Sequence, residues 1–324
     1  MKKLTSSSIY DTYWKFATKR QDIFFKRLKK ESSPWTDDPI LKKYKFTNAY
    51  RASDRVSQFL IKNVIYSDKI FSPEDTIFRI LLFKSFNKIE TWKYLEENLG
   101  EISYKNYTFD RYDSLLSSLL LDKKAIYSAA YIMPSGVTAF HNTRKHKNHL
   151  MLLEYMMRDN IAKKIAQNAS LEDLYKTLLD YPTIGSFLAF QYAIDINYST
   201  LTDFDEMSFV VAGPGAKRGI QKCFLNSESY SEEYIIRKMA EIQSNEFERL
   251  GLSFQSLWGR PLQLIDCQNL FCEVDKYSRV AFPNIAGITG KRIKQLFEPN
   301  HKQNITYYYP PKWGINTKKD TNLL

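Results

Sequence analysis

Several groups of residues in this sequence have types and spacings that could do chemistry. Leu179-Asp180-Tyr181-Pro182-Thr183-Ile184-Gly185-Ser186 is a tight Pro-x-x-Gly turn between two apolar stretches. A helix that opens on such a turn leaves its first N–H groups unpaired and carries partial positive charge there. A phosphate can then sit against Thr183, Gly185 and Ser186 without a basic side chain; an ordinary packing turn is the alternative. Asn48, Arg51, Asp54 and Arg55 set an amide, two guanidinium forks and a carboxylate within two helical turns. That set can grip a phosphate or a polar group on a base, or form an inter-helix Arg–Asp network. Glu273, Asp275 and Lys276 share one short amphipathic segment, where an acid beside a lysine can move a proton or hold a domain closed. Asp203, Asp205 and Glu206 form an acidic cluster that also suits the N-cap of a helix-like stretch over 206–211.

The elements that must position these groups read as helices. Apolar residues at helical spacing predict a helix over 8–30, stopped by Ser33-Pro34 and Asp38-Pro39, and another from Asp54 through Ile65. Ser72-Pro73-Glu74-Asp75 has the order of an N-cap, a first-position proline and first-turn acids. The almost wholly apolar run behind it must be buried. Further helices are expected over 89–99, 109–120, 122–131 and 147–166, and a helix–turn–helix over 171–190. Asn87 and Trp92 fall where they could line a pocket that stacks a flipped base, although tryptophan at helical spacing also suits a core. Phe209-Val210-Val211 is a candidate strand ahead of Gly213-Pro214-Gly215-Ala216-Lys217-Arg218-Gly219. That segment is neither GxGxxG nor a GK[ST] loop. It reads as amides from Gly213 and Gly215, with Lys217 and Arg218, offered to a DNA backbone, or else as a close helix-packing turn. Gly287-Ile288-Thr289-Gly290-Lys291-Arg292 is a candidate second phosphate turn. Three of the four histidines (His141, His146, His149) fall in a basic stretch and read as a solvated, DNA-facing surface; with His301 they lack the acidic or cysteine partners of a metal site.

Composition sets the bounds. The 324 residues are 44% hydrophobic and 15% aromatic, with only 11 Gly and 11 Pro, which favours ordered helices over a turn-rich β architecture. Lys and Arg outnumber Asp and Glu by 47 to 36, a formal charge of +11, which favours a polyanionic partner. The 22 tyrosines and 21 phenylalanines add surfaces on which bases can stack. Three irregularly spaced cysteines make no disulfide framework, so a reducing cytoplasm is expected. No stretch is apolar and long enough for a signal or a membrane span. The expectation is an all-α protein of two helical lobes with a cleft between them, cut as 1–140, 141–313 and a flexible tail over 314–324.

Leu179 to Gly185 resembles the helix-hairpin-helix motif of DNA glycosylases, with Thr183 where that family has its first glycine and Ala189 at the packing position. Pro34 to Pro39, Phe46 to Val56, Phe78 to Lys84 with Phe86-Asn87 and Thr91-Trp92, Ala212 to Gly219 and Cys272 to Tyr277 resemble the α-glutamyl/putrescinyl thymine pyrophosphorylase family. That family is related in turn to the 5-hydroxymethyl-uracil DNA kinase helical domain. The glycosylase resemblance implies a catalytic aspartate about twenty residues beyond the hairpin glycine, which falls on Asp205 with Asp203 beside it. A carboxylate there would stabilise an oxocarbenium-like sugar or activate water. Phe187, where lyase-competent relatives carry lysine, implies a monofunctional enzyme. The resemblances together imply excision of a bulky modified base from double-stranded phage DNA, without cofactor or metal and without an obligate protein partner. A pyrophosphorylase-like transferase and a non-catalytic DNA-binding module are the alternatives.

Overall fold

The computed structural model describes residues 3–129, 133–285, 293, 295–298 and 306–321. Among these the chain forms fifteen α-helices and no strand, an all-α fold. The expected turn over 287–292 and His301 lie outside the described residues. So does part of 122–131.

The early helices follow their local signals. α1 (Tyr10–Leu28) buries Tyr13, Trp14, Phe16, Ile23 and Phe24, and α2 (Pro39–Lys43) is capped by the Asp38 carboxylate on the Ile40 and Leu41 N–H groups. A 3-10 turn (Arg51–Ser53) leads into α3 (Arg55–Phe59), which continues as a π-helix over Leu60–Ile65. α4 (Pro73–Phe86) opens on Ser72, whose hydroxyl accepts the Asp75 N–H, and closes on Asn87 in the left-handed region. α5 (Ile89–Leu99) and α6 (Phe109–Leu121) lie where expected.

The next stretch departs from expectation. Residues 122–129 are not helical, because their polar groups are taken by neighbours: Thr91 donates to the Ile126 carbonyl, and the Ser128 N–H reaches the Phe86 carbonyl. A short α7 (Val137–Phe140) precedes α8 (Lys145–Arg158). The helix expected over 147–166 is broken by Asn160, at φ 56°, and restarts as α9 (Ile161–Ala166). His146 and His149 are about 1% exposed on α8, so of the three histidines in the expected DNA-facing stretch only His141 is at the surface, beside the exposed Arg144.

α10 (Leu171–Leu179) and α11 (Ser186–Asn197) form the expected helix–turn–helix. Phe209 to Val211 form no strand and 206–211 no helix. α12 (Pro214–Cys223), α13 (Glu232–Arg249) and α14 (Leu264–Ala281) follow. The expected flexible tail instead holds α15 (Asn316–Thr321), with Ile315 buried and Lys319 donating to the Tyr307 carbonyl.

Contacts divide the chain into two compact units, and these are not the segments expected from sequence. Unit 1 takes in 1–54, 209–307 and 313–324; unit 2 takes in 55–208 and 308–312. The reason lies in where α14 buries its apolar face. Phe271 meets Tyr13 of α1 at 4.7 Å, so the chain's two ends share one core. In unit 2 the core is α4, whose apolar side chains are buried all round.

Candidate functional site

In unit 1 the site is built by α14. Asp266 and Glu273 lie seven residues apart, on one face of the helix. Asp266 accepts the Gln263 N–H in a capping box and, through its other oxygen, the Arg51 N–H at 2.8 Å. Glu273 accepts the Thr47 N–H at 2.9 Å. Two carboxylates therefore pin the 47–54 loop by its backbone. Inside that loop the Asn48 N–H donates to Asp54 at 2.8 Å and its amide to the Ser53 carbonyl. Arg20 of α1 closes the cluster through the Thr47 carbonyl and the Asn48 side-chain oxygen.

Asn48, Arg51, Asp54, Glu273 and Lys276 are thus brought together, with Lys276 paired to Glu273 at 2.7 Å. Burial raises the Asp54 carboxyl to about 7; the Asn48 N–H opposes the shift and Glu273 reinforces it. Burial also lowers the Arg20 guanidinium to about 10. Sequence reading missed Arg20 and Asp266. The available signal was a cation on the apolar stripe of α1, four residues from both Phe16 and Phe24.

Asp275 faces the other way. It is about 1% exposed and meets Lys222 at 2.8 Å, Arg279 at 2.7 Å and Arg218 at 3.3 Å, which hold its carboxyl below the usual range. This is a lock between α12 and α14. The glycine segment belongs to the same contact. Gly213 caps α12, while a Cβ on Gly215 would lie 3.0 Å from the Cys272 sulfur and one on Gly219 2.1 Å from the Phe271 carbonyl oxygen. Gly215 and Gly219 therefore sit inside a helix and let it approach α14 closely, rather than forming a phosphate-facing loop. Lys217 pairs with Glu232 at 3.2 Å.

In unit 2 the hairpin is closed by the Ile184 N–H on the Tyr181 carbonyl. Thr183 stands at φ 69°, while Gly185 is extended at φ −81° and exposed with Ser186 at the start of α11. Arg55 is 41% exposed and pairs loosely with Glu90. Asn87 is a helix cap that accepts from Lys84. Trp92 offers no face to a base: it is 2% exposed and packs against Phe83 and the Arg79 guanidinium. Asp203 is 84% exposed and 3.6 Å from Lys312. Asp205 is exposed and turned back on the Met207 N–H of its own turn. Asn197 holds the preceding loop through Thr202 and Phe204.

Sequence reading also missed a buried ion pair, Lys84 with Asp195 at 2.8 Å, whose side chains are 4% and 1% exposed. Its signal was a lone acid, Asp195, in the otherwise uncharged α11 and a lysine, Lys84, within the apolar run of α4. Among the described residues no group of three or more His, Cys, Asp or Glu could hold a metal ion, and no helix is long and apolar enough to cross a membrane.

The family model of the 5-hmdU DNA kinase helical domain matches residues 7–287. A 5-hmdU DNA kinase of Bacillus phage SP10 is 26% identical over 292 residues, which take in 84% of this chain and 45% of the relative. The chain thus spans less than half the length of that curated relative. No solved structure matches the chain. These matches overturn the expected reaction class. The relative is named a kinase, a transferase, and not a hydrolase that cuts an N-glycosidic bond. With the hydrolase goes the reason for giving Asp205 and Asp203 a sugar-cation role.

Proposed function

Since the chain belongs to the 5-hmdU DNA kinase helical domain family, we propose that it engages DNA carrying a hydroxymethylated pyrimidine, of the modified phage type, and presents that base for transfer to its hydroxyl. The observation that carries this reading is the family match, which runs through both units. The hairpin supports it in unit 2: exposed Gly185 and Ser186 open a twelve-residue helix whose first N–H groups suit a DNA phosphate. Transfer to a hydroxyl requires that oxygen to shed its proton as the new bond forms. Asp54, partly exposed at the edge of its cluster and raised to about 7, is matched to that task near neutral pH.

The test uses duplexes that differ only in thymine or 5-hydroxymethyl-uracil at one position. Tighter binding of the modified duplex, with label transferred from γ-labelled ATP and lost in Asp54→Asn, is the expected result. A second reading is favoured by the 45% coverage of the relative: a binding module that serves transfer groups borne elsewhere. It predicts the same preference without label. Equal binding of the two duplexes, with no label, would overturn both.

A further inference from the structure

Unit 2 holds an open pocket of about 420 Å³ between the end of α8, α9 and α10, and one wall of it is the hairpin turn itself. Tyr155 stands at its edge, 49% exposed, with its ring at 78° to the buried Tyr181 ring and 5.8 Å away. The Tyr181 hydroxyl donates to Asp159 at 2.8 Å, and Lys164 pairs with the same carboxylate. Thr177 donates to the Asn168 side-chain oxygen at 3.0 Å, and the Asn168 amide nitrogen is buried with no acceptor.

The chemistry of this lining selects its occupant. Apart from the tyrosine rings, the wall carries amides, a hydroxyl, carboxylates and one ammonium, and no aliphatic side chain. Asp159 and Asp180 outnumber Lys164, so a phosphate is repelled. An uncharged planar group with donors and acceptors on its edge is accommodated: its face on Tyr155, its edge on the exposed Gln167 and the carboxylates. The volume is within the range of small-ligand sites. Tyr181 joins this pocket to the hairpin, because the turn closes on its carbonyl and α11 begins five residues after it.

We infer that this pocket receives an unstacked nucleobase from the strand whose phosphate lies on the hairpin. The inference rests on the DNA-binding reading above and adds a second contact to it.

The test measures binding of the full chain to three DNA probes: a fully paired duplex, the same duplex with one bulged nucleotide, and one with an abasic bulge. The base-bearing bulge is expected to bind about tenfold tighter than the abasic one, the scale of one base–aromatic stack. Tyr155→Ala should abolish that preference and leave the paired duplex unaffected. Gln167→Leu, which removes an edge contact but keeps the ring, should reduce it several-fold. Equal binding of the two bulged probes, or a preference that survives both substitutions, overturns the inference. If a 5-hydroxymethyl-uracil duplex is still preferred over thymine, only the pocket reading falls; if no probe binds, both fall.

Discussion

Thr183 holds a backbone conformation that its side chain disfavours. At φ 69° a β-branched residue meets its own carbonyl, a cost of roughly 1–2 kcal/mol, and its hydroxyl is buried with no partner. The neighbouring Gly185, at φ −81° with open space around it, needs no glycine for its shape. The hairpin's demand for a left-handed residue therefore falls on the position that carries threonine. Thr183→Gly is expected to stabilise the chain by about 1 kcal/mol, less than the full strain because glycine also loosens the unfolded chain. Urea unfolding measures this, and a loss of stability would show that the threonine side chain contributes more than its backbone costs. The sequence marks Thr183 as a departure from the glycosylase pattern, but the sign of its effect needs the dihedral angle.

At the scale of elements, the crossing of α12 on α14 is set by two glycines four residues apart. A methyl at Gly219 would run into the α14 backbone, which cannot move aside, whereas one at Gly215 meets mainly the Cys272 side chain. Gly219→Ala is expected to cost about 3 kcal/mol and Gly215→Ala distinctly less; equal melting temperatures for the two variants would refute this account of the crossing. The i, i+4 spacing is visible in the sequence, but Phe209-Val210-Val211 ahead of it suggests a strand and so a turn that either faces DNA or packs helices closely. α1, α4, α5 and the hairpin were legible because their periodicity and caps are local. The stretch at 122–129 was not, since its carbonyl and N–H groups are satisfied by Thr91 and Phe86, more than thirty residues away. The Lys84–Asp195 pair, the place of Arg20 and Asp266 in the Asp54 cluster and the pocket at Tyr155 escaped for the same reason: each joins segments that no local window spans.

For the whole molecule, two groups shifted by burial, one in each unit, respond oppositely to acid. In unit 2, burial pushes His149 down to about 4 from 6.5, with its ring nitrogens on Tyr127 and the Pro134 carbonyl. The unfolded chain then binds the extra proton first, so this stability is full above about 6.5 and falls as pH drops toward 4, by about 3 kcal/mol. In unit 1, Asp54 is raised from 3.8 to about 7, so its contribution is full below 3.8 and is lost as pH rises through 7. Hydrogen exchange between pH 7 and 4 should show unit 2 amides losing protection on acidification, an effect that His149→Gln flattens, while amides near Asp54 gain protection. Loss of protection near Asp54 would remove that group as a cause, and an undiminished unit 2 loss in His149→Gln would remove the histidine. The division of the chain has a further consequence during its synthesis. Unit 1 is split by residues 55–208, so α1, with Tyr13, Trp14 and Phe16 destined for burial, leaves the ribosome long before α14 exists to cover it. At 5–20 residues per second the stretch from the end of α1 to the end of α14 takes roughly 12–50 s. A newborn chain therefore carries an uncovered aromatic helix while residues 55–208 fold behind it, which is the form of the protein that a chaperone would meet.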